Sequence, residues 1–162
     1  MKASVRPARR ETSDHPETQL RVFIDKFDPK QQATIRAVRR ALRKRLPSAN
    51  ELVYDNYNFF VIGYSSTERP SDSIVSVAAG ANGVGISFPY CGARLPDPDK
   101  LLLGSGSQNR FIRLDSAKVL ARPEVETLIA AAVGLAKTPP SATGRGKVTI
   151  RSVSAKQRPR RK

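Results

Sequence analysis

The sequence is poor in the residues that form disulfides and metal sites. It contains one cysteine, Cys91, and one histidine, His15, in 162 residues. A single cysteine cannot form an internal disulfide, and one cysteine with one histidine cannot complete a zinc site. The acidic residues do not follow the spacing of a calcium-binding loop. We therefore expect no metal or other cofactor, and a reducing cytoplasm as the cellular location.

Long apolar runs are also missing. No stretch approaches the ~20 apolar residues that a membrane span requires, and the start of the chain has no apolar segment of the kind found in secretory signals. We expect a chain that makes no contact with a membrane, with a flexible N-terminal segment over residues 1–16.

Negative charge is scarce, above all in the last part of the chain. The formal net charge is +15 at pH 7, and residues 138–162 contain eight lysines and arginines but no acid. This segment has few large apolar residues to bury, so its composition favours a mobile basic tail. The alternation of apolar residues over 148–153 is too imperfect to predict a strand, and the alternative that this segment docks at an edge of the sheet stays open. We therefore predict a folded domain over residues 17–137 and a tail over residues 138–162. The expected partner of the tail is nucleic acid or another polyanion, with candidate contacts at Lys147, Arg151, Lys156, Arg158, Arg160 and Arg161.

Hydrophobic periodicity predicts the fold class. Two helical patterns come first, and the second begins at Pro29, which suits the first turn of a helix. The pattern then changes to four strands, ELVYDNY, NFFVIGYS, SIVSVAAG and VGISFPY, with Asn82-Gly83 as a hairpin signal. A fifth strand over residues 110–115 and a last helix from Pro123 follow. We predict an α+β fold in which an antiparallel sheet of about five strands carries two N-terminal helices and one C-terminal helix.

The second predicted helix has a basic face. Arg36, Arg40 and Arg43 lie opposite its apolar stripe, and no acid stands at i+4 to balance them. Such a face is usually a solvated surface, and the alternative is an anion-binding surface. We include these three arginines among the candidate nucleic-acid contacts.

The segment from Gly83 to Leu114 is the best candidate for a ligand site. It joins two strand patterns through a loop rich in proline and aspartate, and two glycines precede an arginine-bearing strand. Asn109 stands where a dinucleotide fingerprint needs its third glycine, and no Gly-Lys-Ser/Thr occurs, so neither nucleotide-binding motif is present. The glycine pair allows two interpretations. It can turn backbone N–H groups toward one bound anion, or it can form a tight turn that leads into an edge strand. The predicted small-anion site consists of Arg94, Gly104, Gly106, Gln108, Arg110 and Arg113.

Cys91 and the aromatic residues of the strand region allow further interpretations. A catalytic thiolate needs a nearby base or positive charge, and His15 lies in the segment expected to be flexible. Cys91 is therefore a weak catalytic candidate, with a small buried residue as the simpler interpretation. The aromatic side chains can stack on bases as those of single-strand binders do, although core packing is the more common role of aromatic residues in strands. They are Tyr54, Tyr57, Phe59, Phe60, Tyr64 and Tyr90.

The order of these patterns resembles the YdhG-like family of bacterial domains of unknown function. The resemblance rests on VYDNYNFFVIGY, on ISFPYCGARLPDPDKLLLGSGSQNRFIRL and on the closing helix, and it extends from about Leu20 to Val133. It implies a compact α/β sandwich with an antiparallel sheet. Some relatives are described as frataxin-like iron chaperones, for which the nearest equivalent of an acidic surface in this chain is Asp25, Asp28, Glu51 and Asp55.

From the sequence we expect a binding module rather than an enzyme. The 91–113 loop would hold a small anionic ligand, and the tail would contact nucleic acid without sequence specificity. Two alternatives remain open. One is a small enzyme that acts on a phosphorylated or carboxylated substrate through Cys91 and nearby arginines, and the other is a frataxin-like iron chaperone.

Overall fold

Three helices and six strands make up the fold of residues 15–162, which are the residues that the computed structural model describes. The helices are α1 (Pro16–Asp25), α2 (Pro29–Arg45) and α3 (Pro123–Gly134). The strands are β1 (Asn50–Asp55), β2 (Phe60–Ser65), β3 (Ser73–Gly80), β4 (Gly83–Phe88), β5 (Arg110–Leu114) and β6 (Val148–Val153). The predicted α+β class is confirmed. Of the predicted N-terminal segment, residues 1–14 lie outside the described residues, and Pro16 already belongs to α1.

Proline begins each of the three helices. Its fixed φ angle suits the first helical turn, where the N–H that proline lacks would have no intrahelical partner. The side chain of Asp28 caps α2 by accepting a hydrogen bond from the backbone N–H of Gln31 at 3.0 Å. These local signals explain why the helices form at the positions that periodicity predicts.

Strands β1 to β5 form an antiparallel meander, and β6 joins it at the β1 edge. The strand order is β5-β4-β3-β2-β1-β6, with β6 parallel to β1. The predicted hairpin at Asn82-Gly83 connects β3 to β4, and Gly83 has a φ of 143°, a conformation that favours glycine. The predicted antiparallel sheet is thus present with one parallel strand added.

The helices cover one face of the sheet. The central row of that face consists of residues that pair across β1 to β5 and are all buried, namely Val53, Ile62, Val77, Ile86 and Ile112. Buried residues of α1, α2 and α3 belong to the same apolar cluster. Because side chains alternate along a strand, residues one position away from this row point to the opposite face. Strand register therefore decides which functional side chains can meet.

The C-terminal segment departs from the expectation of a mobile tail, because residues 148–153 form β6. Val148 is the register partner of Glu51 in β1. The approach to β6 is close: the backbone N–H of Gly146 donates to the Pro47 carbonyl at 2.9 Å, and a Cβ at this glycine would overlap the Ala49 carbonyl group. The sequence left this strand open as an alternative, because half of its residues are exposed and the apolar alternation is therefore incomplete.

Candidate nucleic-acid interface

Asp55 anchors the C-terminal segment inside the fold. It is fully buried at the end of β1, where its carboxylate accepts hydrogen bonds from Lys26 Nζ at 2.7 Å and from Arg160 Nη2 at 2.8 Å. Arg160 is 4% exposed and also donates to the Asn56 carbonyl at 2.6 Å. Its Nε and Nη1 atoms are buried without a partner among residues 15–162. Arg160 is therefore an internal ion-pair partner and not the nucleic-acid contact that the sequence predicts.

Further hydrogen bonds hold the residues around Arg160 against the turn between β1 and β2. The N–H of Ser154 and the side chain of Gln157 both donate to the Asp55 carbonyl, at 2.9 Å and 2.7 Å. The N–H of Arg158 donates to the Tyr57 carbonyl at 2.8 Å. The C-terminal segment and the β1–β2 turn therefore form one continuous surface.

That turn exposes two aromatic side chains. Tyr57 is 49% exposed and Phe59 is 54% exposed. The Arg158 guanidinium lies 5.7 Å from the centroid of the Tyr57 ring, which is within the range of a cation–π contact. Phe59 lies against the end of β3, where a Cβ at Gly80 would be 3.3 Å from its ring. The sequence alone does not distinguish these two exposed residues from the buried Phe60. Their position in the turn, outside β2, is what leaves their side chains exposed.

The remaining basic side chains of the segment are exposed near the same edge of the sheet. β6 is one of the two outer strands of the sheet, and three of its six residues are exposed. No acid occurs in residues 138–162. We define the C-terminal edge as Tyr57 and Phe59 together with the exposed cations Lys147, Arg151, Lys156, Arg158 and Arg161. It combines positive charge with exposed aromatic rings, which is the pairing that single-strand binders use.

The basic face predicted on α2 is only partly free. Arg36 Nη2 lies 2.8 Å from the Asp25 carboxylate, and Arg43 Nε lies 3.6 Å from the Glu51 carboxylate. Arg40 is exposed and makes no ion pair in the described part of the chain. These two acids come from α1 and β1, so residue spacing within α2 could not predict them.

Arg39 lies between two carboxylates at the base of this face. Its guanidinium donates to both oxygens of Glu17 and both oxygens of Glu51, at 2.8–2.9 Å. The Tyr64 hydroxyl also donates to Glu51, at 2.8 Å. The hydrogen bond from Arg39 lowers the pKa of Glu17, and burial raises the pKa of Tyr64 well above its usual value. The cluster joins α1 and α2 to the sheet, and it supplies the buried Glu51 carboxylate with hydrogen-bond donors.

The predicted small-anion site does not gather its arginines on one face. By strand alternation, Arg110 belongs to the helix-covered face with Ile112, whereas Arg113 belongs to the opposite face, 5.8 Å from the centroid of the Phe111 ring. Arg94 and Gln108 are both exposed, and a hydrogen bond of 2.9 Å from the Ala93 N–H to the Gln108 carbonyl joins their backbones. The two ends of the 91–113 loop thus meet through their backbones, but the side chains of Arg110 and Arg113 lie on opposite faces of the sheet.

The loop over residues 104–109 turns carbonyl groups toward Arg110. Arg110 Nη1 donates to the Gly106 carbonyl at 2.5 Å and to the Asn109 carbonyl at 2.7 Å. Gly104 has a φ of 111°, whereas Gly106 does not have a positive φ, and a Cβ there would meet no atom within 4 Å. These are the features of a tight turn whose carbonyl groups are satisfied by an arginine. Anion binding by this loop stays a prediction.

Cys91 does not have the environment of an activated nucleophile. The side chain is 8% exposed, and burial raises its pKa while nearby Arg94 opposes the shift only in part. A raised pKa keeps the thiol protonated near neutral pH, and the thiolate is the reactive form. The enzyme alternative therefore gains no support from this position.

The four carboxylates considered for iron are engaged in other contacts. Asp25, Glu51 and Asp55 form ion pairs with basic side chains, and Asp28 caps α2. Among residues 15–162, the His, Cys, Asp and Glu side chains form no group of three or more that could hold a metal ion. The geometry therefore lends no support to the iron-chaperone alternative.

No family model, curated protein or solved structure matches the chain. The resemblance to the YdhG-like family therefore stays a prediction. Within the part of the chain that the structure describes, every helix is too short or too polar to cross a membrane.

Proposed function

We propose that the protein is a binding module that holds single-stranded nucleic acid along the C-terminal edge. The observation that carries the proposal is the presence of two exposed aromatic rings, Tyr57 and Phe59, beside basic side chains in a segment that contains no acid. The cations would bind phosphates, and the rings would stack on unpaired bases. A cytoplasmic location, in which such a partner is available, is part of the proposal.

A basic edge strand also has a structural explanation, because charged side chains on an outer strand discourage pairing with another chain. This explanation accounts for the cations of β6. It does not account for two half-exposed aromatic rings in the adjacent turn, or for Arg158 stacked on one of them. The aromatic residues therefore support nucleic-acid binding as the role of this edge, in addition to its protection.

The test is the fluorescence anisotropy of a labelled strand of about ten nucleotides, compared with a duplex of the same sequence. We expect the single strand to bind more tightly than the duplex, because its bases are free to stack. Tyr57→Ala and Phe59→Ala should each weaken binding about 5- to 150-fold, equivalent to about 1–3 kcal/mol per stacked base. Tyr57→Phe keeps the ring and should bind like the wild type.

Salt dependence tests the charged part of the interface. Lys156→Gln and Arg158→Gln should each reduce the slope of log affinity against log salt by about 0.7, the value for one phosphate contact with a single strand. Arg113→Gln removes an exposed arginine on β5, outside the C-terminal edge, and should leave the slope unchanged. Affinity that is independent of salt, or an equal loss in the Arg113 variant, would contradict the proposal.

Point substitutions are preferable to deletion of residues 138–162. Deletion would remove β6 and would leave Asp55 without Arg160 in the interior, so the protein would lose stability together with charge. The substituted residues Lys156, Arg158 and Tyr57 are exposed, so these variants should retain the fold.

A further inference from the structure

A basic cleft opens between α1 and α2. Its volume is about 170 Å³, and it is lined by one face of each helix. The α1 face has Glu17, Leu20, Arg21 and Ile24, and the α2 face has Arg36, Arg39, Arg40 and Arg43. On each helix these positions follow the spacing i, i+3, i+4, i+7, so each set shares one side of its helix. The cleft therefore brings together five arginines that come from two separate sequence segments.

The charges that the described residues place around the cleft do not balance. Within residues 15–162, three carboxylates face the five arginines: Glu17 and Glu51 bind Arg39, and Asp25 binds Arg36. The group is left with two more positive charges than negative charges. Like charges that converge raise the free energy of the folded state unless an anion joins them.

The arginines of the cleft differ in their freedom to bind a ligand. Arg39 is held by four hydrogen bonds to Glu17 and Glu51, so it forms a fixed base. Arg21 and Arg40 are exposed and make no ion pair with any residue in 15–162. Their guanidinium groups therefore have donors available to a ligand.

We propose that this cleft binds a phosphate dianion, either inorganic phosphate or a phosphate monoester. Two negative charges would neutralise the excess of the cleft, and guanidinium groups match phosphate oxygens through paired N–H donors. The small volume admits a single phosphate group rather than a long polyanion. The phosphate can belong to a small molecule or to the 5′ end of a nucleic-acid strand, and the chemistry that the cleft recognises is the same in both cases.

Calorimetric titration of the full chain with inorganic phosphate and with glycerol phosphate, at constant ionic strength, tests the site. The variant is Arg21→Gln/Arg40→Gln, which removes the two free guanidinium groups and retains helix propensity. It should weaken phosphate binding at least about tenfold. Lys118→Gln, which removes an exposed positive charge between β5 and α3 and outside the cleft, is the control and should bind like the wild type.

The charge of the ligand is tested by pH. Glycerol phosphate becomes a monoanion below its second pKa of about 6, so its binding should weaken as the pH falls through that value. Sulfate stays a dianion, and its binding reports any change in the protein itself. The proposal is overturned if the wild type binds neither phosphate nor sulfate, if the double variant binds as tightly as the wild type, or if Lys118→Gln abolishes binding.

A pair of oligonucleotides identifies the source of the phosphate. If the cleft takes the end of a strand, a 5′-phosphate should increase affinity in the wild type and not in Arg21→Gln/Arg40→Gln. If the cleft takes a small molecule, the two oligonucleotides should bind equally while glycerol phosphate still binds. Because these substitutions lie outside the C-terminal edge, failure of the cleft and failure of the nucleic-acid interface give different results.

Discussion

Replacing Asp55 by asparagine removes the carboxylate that accepts hydrogen bonds from both Lys26 and Arg160. Arg160 is 4% exposed, so its positive charge would stay in the interior without a counterion. Removal of one partner from a buried ion pair costs about 3–5 kcal/mol, and we expect a loss of this size in the free energy of unfolding for Asp55→Asn.

The opposite substitution should cost less. In Arg160→Met, Asp55 keeps its ion pair with Lys26 at 2.7 Å. The change also removes the N–H groups on Nε and Nη1 that are buried without partners in the described residues, and each such group costs about 1–3 kcal/mol. We therefore expect a loss of about 1–2 kcal/mol for Arg160→Met. The double variant should be about 2 kcal/mol more stable than the sum of the two losses predicts.

Urea denaturation followed by circular dichroism measures these differences at fixed pH and ionic strength. Arg161→Met is a matched control, because Arg161 is exposed and, among residues 15–162, donates only to the backbone carbonyls of Lys26 and Asp25. It should cost less than about 1 kcal/mol. The reasoning is refuted if Arg160→Met is as costly as Asp55→Asn, or if the two losses add to within about 0.5 kcal/mol.

Three further predictions concern single residues. The hydrogen bond from Arg39 lowers the pKa of Glu17 in the folded state. This contact therefore stabilises the fold above the unfolded pKa of about 4.3, and the stabilisation is lost as the pH falls through the folded pKa. A plot of urea midpoint against pH should consequently be flatter on its acid side in Glu17→Gln than in the wild type. Because burial raises the pKa of Cys91, thiol labelling should be slow at neutral pH and accelerate only in alkali, and fast labelling at pH 7 would contradict its buried position. Gly104→Ala should lower stability by about 1 kcal/mol or more because of the positive φ, whereas Gly106→Ala should be close to neutral in the same thermal melts.

Most of the sheet could be predicted because its signals are local. The alternating apolar residues of β1 to β5 and the Asn82-Gly83 turn lie within short windows of sequence, and the structure has strands and hairpin at these positions. β6 could only be left as an open alternative, because an edge strand buries few side chains. Its composition, rich in cations and poor in apolar residues, is also the composition of a mobile segment.

The candidate site could be predicted only in part. The charge of residues 138–162 led to the prediction of a polyanion as partner, but it could not predict which basic residues of the segment are exposed and which are buried. Arg158 and Arg160 are two positions apart, yet one lies on the surface beside Tyr57 and the other is buried against Asp55. Contacts of this kind depend on how the folded chain returns to β1, and no local pattern reports them.

The position of β6 has a consequence for the order of folding. The contacts that β6 and its flanking residues make with β1 join residues 97 to 105 positions apart, such as Lys147 with Asn50 before the strand and Arg160 with Asp55 after it. The length-dependent part of closing a loop of this size costs about 4 kcal/mol in chain entropy, whereas the β1–β5 hairpins close over short loops. We expect the meander to form first and β6 to dock last, so that a transient intermediate has an open β1 edge. Until the chain supplies its own last strand, that edge can pair with a second molecule, and refolding at high protein concentration should favour aggregation over the native state.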